Sequence, residues 1–378
     1  MRIERESRKV GTLESREQMG PLVALLGQRD MPTDGVEDYC VFLGRALAAD
    51  GIELQQARVR WTEKGWISAL RQLSRECSAW RGQWVLLQYT ALSWSRRGFP
   101  FAALVVLALL RRGGARVTVV FHEPCRQGGS RWKDRIRGAC QDWVIQELYR
   151  FAAKSIFTVP LQTIDWLPTE QPKAAFIPIG ANIPEPVVCR RAPPLPDEQK
   201  TVIVFGVTGA PEMAREVADI AGIMQEASKT LDKLRLVVVG RGSIEAREQL
   251  AEALGTCNVE VVVRGVLPAE EVACEFACAD VLLFVRGAIT PQRGSAIAGI
   301  ACGIPIVGYR AERISAPLQE AGVEWSFCQD REALVRGLVR VLSDPERWME
   351  LRQRNLEMQK GYFSWSRIAE RYRMVLTE

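Results

Sequence analysis

Short apolar runs alternate with stretches whose apolar residues return every three or four positions, and this alternation repeats along most of the 378 residues. Unbroken runs rich in Val, Ile and Leu read as buried strands, while the 3.6-residue period reads as helices packed on them. Strands are expected at residues 21–27, 84–88, 115–121, 155–159 and 174–179. An amphipathic helix is expected from 36 to 49, turning Tyr39, Phe42, Leu43, Ala46 and Leu47 to one side. The longest apolar run, 98–110, is bracketed by Arg96-Arg97 and Arg111-Arg112. A membrane span needs about 20 residues. This run is therefore expected as a helix buried against a sheet, with peripheral contact to a bilayer left open.

Residues 184–200 break the pattern. They hold Pro184, Pro186, Pro193, Pro194 and Pro196 around Arg190-Arg191 and present no apolar face, which marks a linker. Beyond it the alternation restarts, with strands expected at 201–206, 234–240, 259–263, 281–285 and 304–308. The helices between them are expected at 212–227, up to 254, at 269–278 and from 294. A final helical stretch, 344–378, is interrupted near Gly361-Tyr362-Phe363-Ser364, where it is expected to bend and recross to the first half. Two doubly wound parallel sheets facing a central cleft are the expected architecture. The expected parts are an arm at 1–20, a domain at 21–185, a linker at 186–200, a domain at 201–358 and the recrossing helix at 359–378.

Composition changes this picture little. Hydrophobic content of 47% and charged content of 25% are those of an ordinary globular protein. A net charge of +5 over this length is too mild to argue for nucleic acid. Basic residues gather between Arg111 and Arg137, opposed there by Glu123 and Asp134, as a solvated face or as a means of gathering an anionic substrate or a membrane surface. Ten cysteines lie scattered without a C-x-x-C pair, and Cys274 and Cys278 have no second pair that would make a zinc site. A reducing cytosol is the expected compartment. Residues 1–20 are charged throughout and do not read as a signal peptide.

Chemistry is sparse. The single histidine, His122, ends an apolar run and precedes Glu123-Pro124, at the end of a strand that faces ligands in open α/β sheets. A lone strand-end His is as readily a polar cap as a catalytic group. Three strand-end loops of the second half carry glycine: Gly206-Val207-Thr208-Gly209, Gly240-Arg241-Gly242-Ser243 and Thr290 to Ser295. None is G-x-G-x-x-G, which disfavours a dehydrogenase. In the third, Arg293-Gly294-Ser295 opens a helix of small residues. The free amides and dipole of that helix start suit a phosphate, with Arg293 adding a bidentate contact. The alternative is that the small residues serve only tight packing, with Ser295 a cap.

Several pieces then fall in a telling order: Asp34-Gly35-Val36-Glu37-Asp38-Tyr39, His122-Glu123-Pro124, Ile177-Pro178-Ile179-Gly180-Ala181-Asn182, Gly265-Val266-Leu267-Pro268, Ala279-Asp280 before a strand, Ala301-Cys302-Gly303-Ile304-Pro305, and Phe363-Ser364-Trp365. In order and spacing the chain resembles the GT-B glycosyltransferases, and within them family GT4, retaining enzymes that use nucleotide-sugar donors. The resemblance covers nearly everything after the leader. It implies that His122 contacts the donor sugar as the catalytic histidine. Gly35, Thr290, Gln292, Arg293, Gly294 and Ser295 would surround sugar and diphosphate, and Gly206, Gly240, Arg241, Gly265, Val266 and Leu267 the nucleotide. The acceptor would meet the first domain, with Asp34, Glu123, Trp94 and Arg126 as candidates among a group that includes Arg96, Arg97, Arg131, Trp132 and Lys133. Two departures stand out. The family's Glu-x7-Glu falls on Thr290 and Ala298, and its Arg and Lys after the first strand of the second domain fall near Val207 and Glu212. Arg293, Arg241 or Arg215 are candidate substitutes.

The resemblance implies a cytoplasmic hexosyltransferase, at most peripheral on the inner face of a membrane. It would move a sugar from a UDP-sugar, or a GDP-sugar, to a hydroxyl of a sugar, glycan or lipid-linked acceptor, with no metal or further cofactor. The second reading is a GT-B protein of weak or no activity that binds a nucleotide sugar or a partner. An epimerase or hydrolase on the same fold would be expected to carry more than one histidine.

Overall fold

The computed structural model describes residues 20–31, 33–126, 128–129, 131–184, 192–312, 316–327 and 330–377. The expected arm at 1–20, save Gly20, and the middle of the Pro-rich linker lie outside them. The first domain runs β1 (Leu22–Leu26), α1 (Gly35–Ala49), β2 (Leu54–Arg58), α2 (Trp61–Lys64), α3 (Trp66–Glu76), β3 (Trp84–Tyr89), α4 (Phe101–Arg112), β4 (Arg116–Phe121), α5 (Trp132–Phe151), β5 (Lys154–Phe157) and β6 (Ala174–Phe176). The second runs β7 (Lys200–Phe205), α6 (Met213–Ala227), β8 (Leu234–Val239), α7 (Arg247–Leu254), β9 (Val259–Gly265), α8 (Ala269–Ala277), β10 (Val281–Ala288), α9 (Gly294–Ala301), β11 (Ile306–Arg310), β12 (Val323–Phe327), α10 (Arg331–Ser343) and α11 (Pro345–Met358). The chain closes with α12 (Trp365–Thr377).

Each domain carries a six-stranded parallel sheet, in the order β2-β1-β3-β4-β5-β6 and β12-β11-β10-β7-β8-β9. Because side chains alternate across a strand, each sheet feeds two cores. In the first, Val23, Leu25, Val85 and Leu87 face α3, α4 and α5, whereas Leu22, Ala24, Leu26 and Leu86 face α1 and α12. In the second, Val202, Val204, Leu236 and Val238 pack on α6 and α10, and Ile203, Val237 and Leu282 on α8 and α9. The two-sheet α/β architecture expected from the pattern is the one observed.

Some elements differ from the expectation. The 98–110 run becomes helical only at Phe101, because Gly98 turns at φ 74° and Pro100 precedes the first turn. The strand expected at 304–308 starts at Ile306, after Gly303 ends α9 with φ 63° and Pro305. Lys200, assigned to the linker, begins β7; its buried ammonium donates to the carbonyl of Pro196 at 2.7 Å. Strands β2 and β12 are half-polar edge strands without an apolar run, and the short α2 and the amphipathic α3 are additional to the expected elements.

The chain returns to the first domain at its end. After α11 a π-helical turn, Gln359–Phe363, redirects it, and α12 packs on α1 through Ile368, Ala369, Tyr372 and Leu376. Trp365 donates its indole N–H to the Ala181 carbonyl at 2.7 Å, over Gly180, where a Cβ would lie 2.6 Å from the indole ring. The hydroxyls of Tyr39 and Tyr372 pair at 2.8 Å in full burial. Tyr372→Phe would leave Tyr39 with a buried unpaired hydroxyl, so a loss of about 1–3 kcal/mol is expected in denaturant unfolding. The double Tyr39→Phe/Tyr372→Phe variant should recover part of it.

Candidate functional site

In open α/β sheets the crevice forms where strand order reverses, outside the carboxyl ends of the two strands that part there. In the first sheet these are β1 and β3, in the second β7 and β10. The loops that follow them face each other and enclose two adjoining chambers. The first, of about 480 Å³, is lined from the first domain by Asp30, Asp34, Ser93, His122 and Glu123 among others. The second, of about 540 Å³, is lined from the second domain by Phe205, Gly206, Gly240, Arg241, Val266, Leu267, Arg286, Arg293 and Ser295. Gly35, Asn182, Gln292 and Gly294 line both, so the chambers meet between the starts of α1 and α9.

Those two starts are built differently. Asp34 caps α1, its carboxylate accepting from the amides of Val36 at 3.0 Å and Glu37 at 3.2 Å. This leaves Gly35 at the junction, where its carbonyl accepts from Asn182 Nδ2 at 2.9 Å. Helix α9 has Arg293 at its cap position with no side-chain cap, so Ser295 is not the cap that packing alone would suggest. The Gly294 amide already donates to the Gln292 carbonyl at 3.1 Å and the Ala296 amide to the Arg293 carbonyl at 2.8 Å, so Ser295 carries the first-turn amide that can turn to an anion.

His122 lines the first chamber. Gln88 Nε2 donates to the Leu86 carbonyl, so Gln88 Oε1 accepts from His122 Nε2–H at 2.8 Å. Nδ1 of the neutral ring is then a hydrogen-bond acceptor. Burial holds the imidazole down at about 4, so it is uncharged at neutral pH. The ring sits edge-on to Tyr39, centroids 5.1 Å apart. Its main-chain carbonyl accepts from Gln292 Nε2 of the other domain, which also reaches Thr158 Oγ1 at 3.1 Å. Burial raises the Glu123 carboxyl above the usual range, a rise that the Ala91 amide, donating at 3.3 Å, partly holds back.

The second chamber gathers arginine. Arg286, Arg293 and Arg241 all line it. Burial lowers the Arg286 guanidinium from its ordinary value, Glu216 acts in the opposite sense, and Arg293 and Arg241 press it further down by like charge. The chamber wall is therefore strongly basic. Arg286 Nε donates to Thr208 Oγ1 at 3.2 Å, and a register shift in β10 between Phe284 and Ala288 accompanies its position. Gly206, at φ 81°, makes room for it: a Cβ there would lie 2.9 Å from Arg286 Nη1. Arg241 is shared, since it also reaches across the cleft to Asp30 Oδ2 at 3.1 Å and the Thr33 carbonyl at 2.7 Å.

Several sequence candidates fall elsewhere. Trp94 is 1% exposed and spends its indole N–H on the Gln88 carbonyl, so it is a core residue and not an acceptor contact. Arg126 is paired with Asp142 at 3.0 Å and lines neither chamber. Thr290 also lines neither; its carbonyl accepts from the Arg293 amide. Arg215 is exposed on α6 and lines neither chamber, whereas Arg286 lines the second. Gly265 ends β9 beside the chamber that Val266 and Leu267 line. Sequence reasoning missed Gln88, Phe205 and Arg286. For Gln88, a polar residue at the end of an apolar run was the available signal; Phe205 and Arg286 gain their place from strands that are neighbours in the sheet and distant in sequence. Among the described residues no three His, Cys, Asp or Glu side chains cluster as a metal would require.

Comparison with known proteins bears on this cleft. Residues 199–344 match the model of the family described as glycosyl transferases group 1. No curated protein matches the chain. Among solved structures it is similar to sucrose-phosphate synthase from Thermosynechococcus elongatus, with TM-score 0.64, 18% identity, and 95% of this chain and 99% of that one covered. It is similar to HepE of Anabaena in complex with UDP and glucose, with TM-score 0.63, 10% identity, and 95% and 99% covered. A putative UDP-N-acetylglucosamine 2-epimerase from Listeria monocytogenes aligns with TM-score 0.60 and 9% identity over 95% and 96% of the chains. The fold is that of the GT-B glycosyltransferases, as the sequence resemblance implied.

The buried neutral His122 makes a prediction about pH. Its folded value lies below its ordinary 6.5, so the unfolded chain binds the proton first. Stability is then full above about 6.5 and falls as pH drops towards about 4. Denaturant titrations at stepped pH should show a flatter profile over that window for His122→Gln than for the wild type.

Proposed function

We propose that the protein is a glycosyltransferase that moves a sugar from a nucleotide-sugar donor, a UDP-sugar in the first instance, to an acceptor hydroxyl. One observation carries this reading. Arg241, Arg286 and Arg293 converge with the start of α9 on one side of the junction, and His122 lines the chamber on the other. The fold alone does not choose, since a putative epimerase shares it. The family match of residues 199–344 and the UDP held by HepE support the same assignment.

The donor would lie with its base against Val266, Leu267 and Phe205 and its diphosphate between the Ser295 amide at the start of α9 and the arginines. Departure of the diphosphate puts negative charge where these donors are already fixed, which is how preorganised sites lower a barrier. The sugar would reach the junction, where Nδ1 of His122 can accept from a sugar hydroxyl and Gln292 and Asn182 supply amide groups. The acceptor would enter the first chamber, whose Asp30, Ser93 and Glu123 suit a hydroxyl-rich molecule. Both substrates would lie on one face of the anomeric carbon, which favours retention. Charge neutralisation by three guanidiniums leaves no step that calls for a metal.

One structural feature favours the second reading, a binding protein of weak or no activity. Ala298 lines the donor chamber where the family resemblance would put a glutamate, and Thr290 does not reach it. Asp38, from the first domain, is the acidic side chain that faces this chamber among its described lining.

Two experiments separate the readings. Arg286→Ala and Arg293→Ala should each weaken UDP binding in calorimetry by roughly 1.5–3 kcal/mol, the worth of a charge-assisted hydrogen bond; unchanged affinity would remove that residue from the anion site. His122→Ala should cut sugar transfer by orders of magnitude while leaving UDP affinity nearly intact, because base and diphosphate contacts lie in the other domain. Wild-type rates in that variant, or no transfer or hydrolysis of any nucleotide sugar by the wild type, would favour the binding protein.

A further inference from the structure

Helices α4 and α5 lie side by side over the sheet of the first domain, away from α1 and α12. The outer surface of α5 is not the polar stripe expected of a solvated helix. Trp132, Ile136 and Trp143 stand on it at spacings of four and seven, and they are 66%, 50% and 51% exposed. On α4, Phe101 and Val105 are exposed as well, and Phe101 meets Trp143 with ring centroids 6.0 Å apart. The two stripes therefore form one surface.

Basic groups are set among these apolar ones. Lys133 Nζ lies 5.7 Å from the Trp132 ring. Arg111 and Arg150 flank Phe151 at 5.6 and 5.4 Å. Arg135 is exposed beside Ile136. The three acidic residues of α5 each stand against a basic one: Asp134 holds Arg137, Asp142 holds Arg126 and Glu147 stands 3.7 Å from Arg150. No helix among the described residues is long and apolar enough to cross a membrane.

We propose that the α4–α5 face is a docking surface for an anionic lipid bilayer. A 20-residue helix lying in the membrane plane, with Trp and aliphatic side chains outward and Lys and Arg beside them, matches the headgroup boundary in both polarity and charge. A second copy of the chain fits worse, because a two-fold contact would set Lys133 and Arg135 against their own counterparts. A nucleic acid would use the rings and cations but leave Val105 and Ile136 without a partner. Helix α5 begins just after the loop that carries His122 and Glu123, so the surface starts beside the cleft.

The test is sedimentation of the full chain with vesicles of phosphatidylcholine alone and of phosphatidylcholine mixed with phosphatidylglycerol. Binding is expected only with the mixed vesicles, and it should weaken as salt rises. Lys133→Glu/Arg135→Glu and, separately, Trp132→Ser/Trp143→Ser should each reduce it by about tenfold or more, taking roughly fivefold per basic contact. Melting temperature and the UDP-induced thermal shift show that the variants remain folded and should match the wild type. The proposal is overturned if the wild type ignores the mixed vesicles at low salt or if both variants bind as well as it does. It is equally overturned if ultracentrifugation shows a dimer that the tryptophan substitutions dissociate. The readout involves no sugar transfer, so its outcome is separate from that of the catalytic reading.

Discussion

Tyr39 is the joint on which the site rests. It stands in the first full turns of α1, fully buried, with its ring edge-on to both His122 and Trp365 and its hydroxyl on Tyr372. One side chain thus connects the capped start of α1, the strand end that delivers the histidine, and the helix that ends the chain. The hydroxyl pair itself is worth about 1 kcal/mol. Its larger effect is geometric, since a close-packed interior transmits any change in the position of α12 to the imidazole.

The two chambers divide the chemistry by charge. One collects guanidinium groups and helix amides; the other collects carboxylates and hydroxyls around a neutral imidazole. Burial drives both outcomes. It raises the cost of each charge that lacks a partner, which keeps His122 unprotonated and lowers the Arg286 guanidinium from its ordinary value. In the proposed reading, the partly buried Arg286 and its two arginine neighbours are where the diphosphate charge would be taken up. Glu216, which already accepts from the Thr208 amide at 2.7 Å, offsets part of the Arg286 charge, and Asp30 pairs with Arg241.

Much of the architecture was legible because it is local. The apolar runs Leu22 to Leu26 and Val117 to Phe121 are a property of consecutive residues, and both strands lie close to where the pattern puts them. His122 and the α9 start could be singled out for the same reason. Arg286 could not be. Its value depends on β10 lying beside β7, two strands far apart in sequence, so that Gly206 opens under its guanidinium. Trp94 shows the converse error. An exposed-looking Trp among arginines reads as a contact surface, yet the Gln88 carbonyl and the apolar layer beneath it draw the ring inward.

What holds the domains in register can be decided by magnitude. The cleft is bridged by Arg241 and Asp30, but their side chains are 49% and 66% exposed, and surface pairs of this kind contribute about 0–1 kcal/mol. Helix α12 buries Ile368, Tyr372 and Leu376 in the core of the first domain, and burial of each such side chain contributes about 1.5–3 kcal/mol. The covalent return of the chain through α12 therefore dominates, and the ion pair is a minor clasp. For a donor-binding cleft this order matters. Arg241 can give up Asp30 for a diphosphate at small cost, because a charge-assisted bond in the chamber, at roughly 1.5–3 kcal/mol, exceeds the pair it replaces. In the proposed reading, the exposed Arg241–Asp30 pair across the cleft is the contact easiest to trade for the donor, while the α12 contacts beside His122 stay in place.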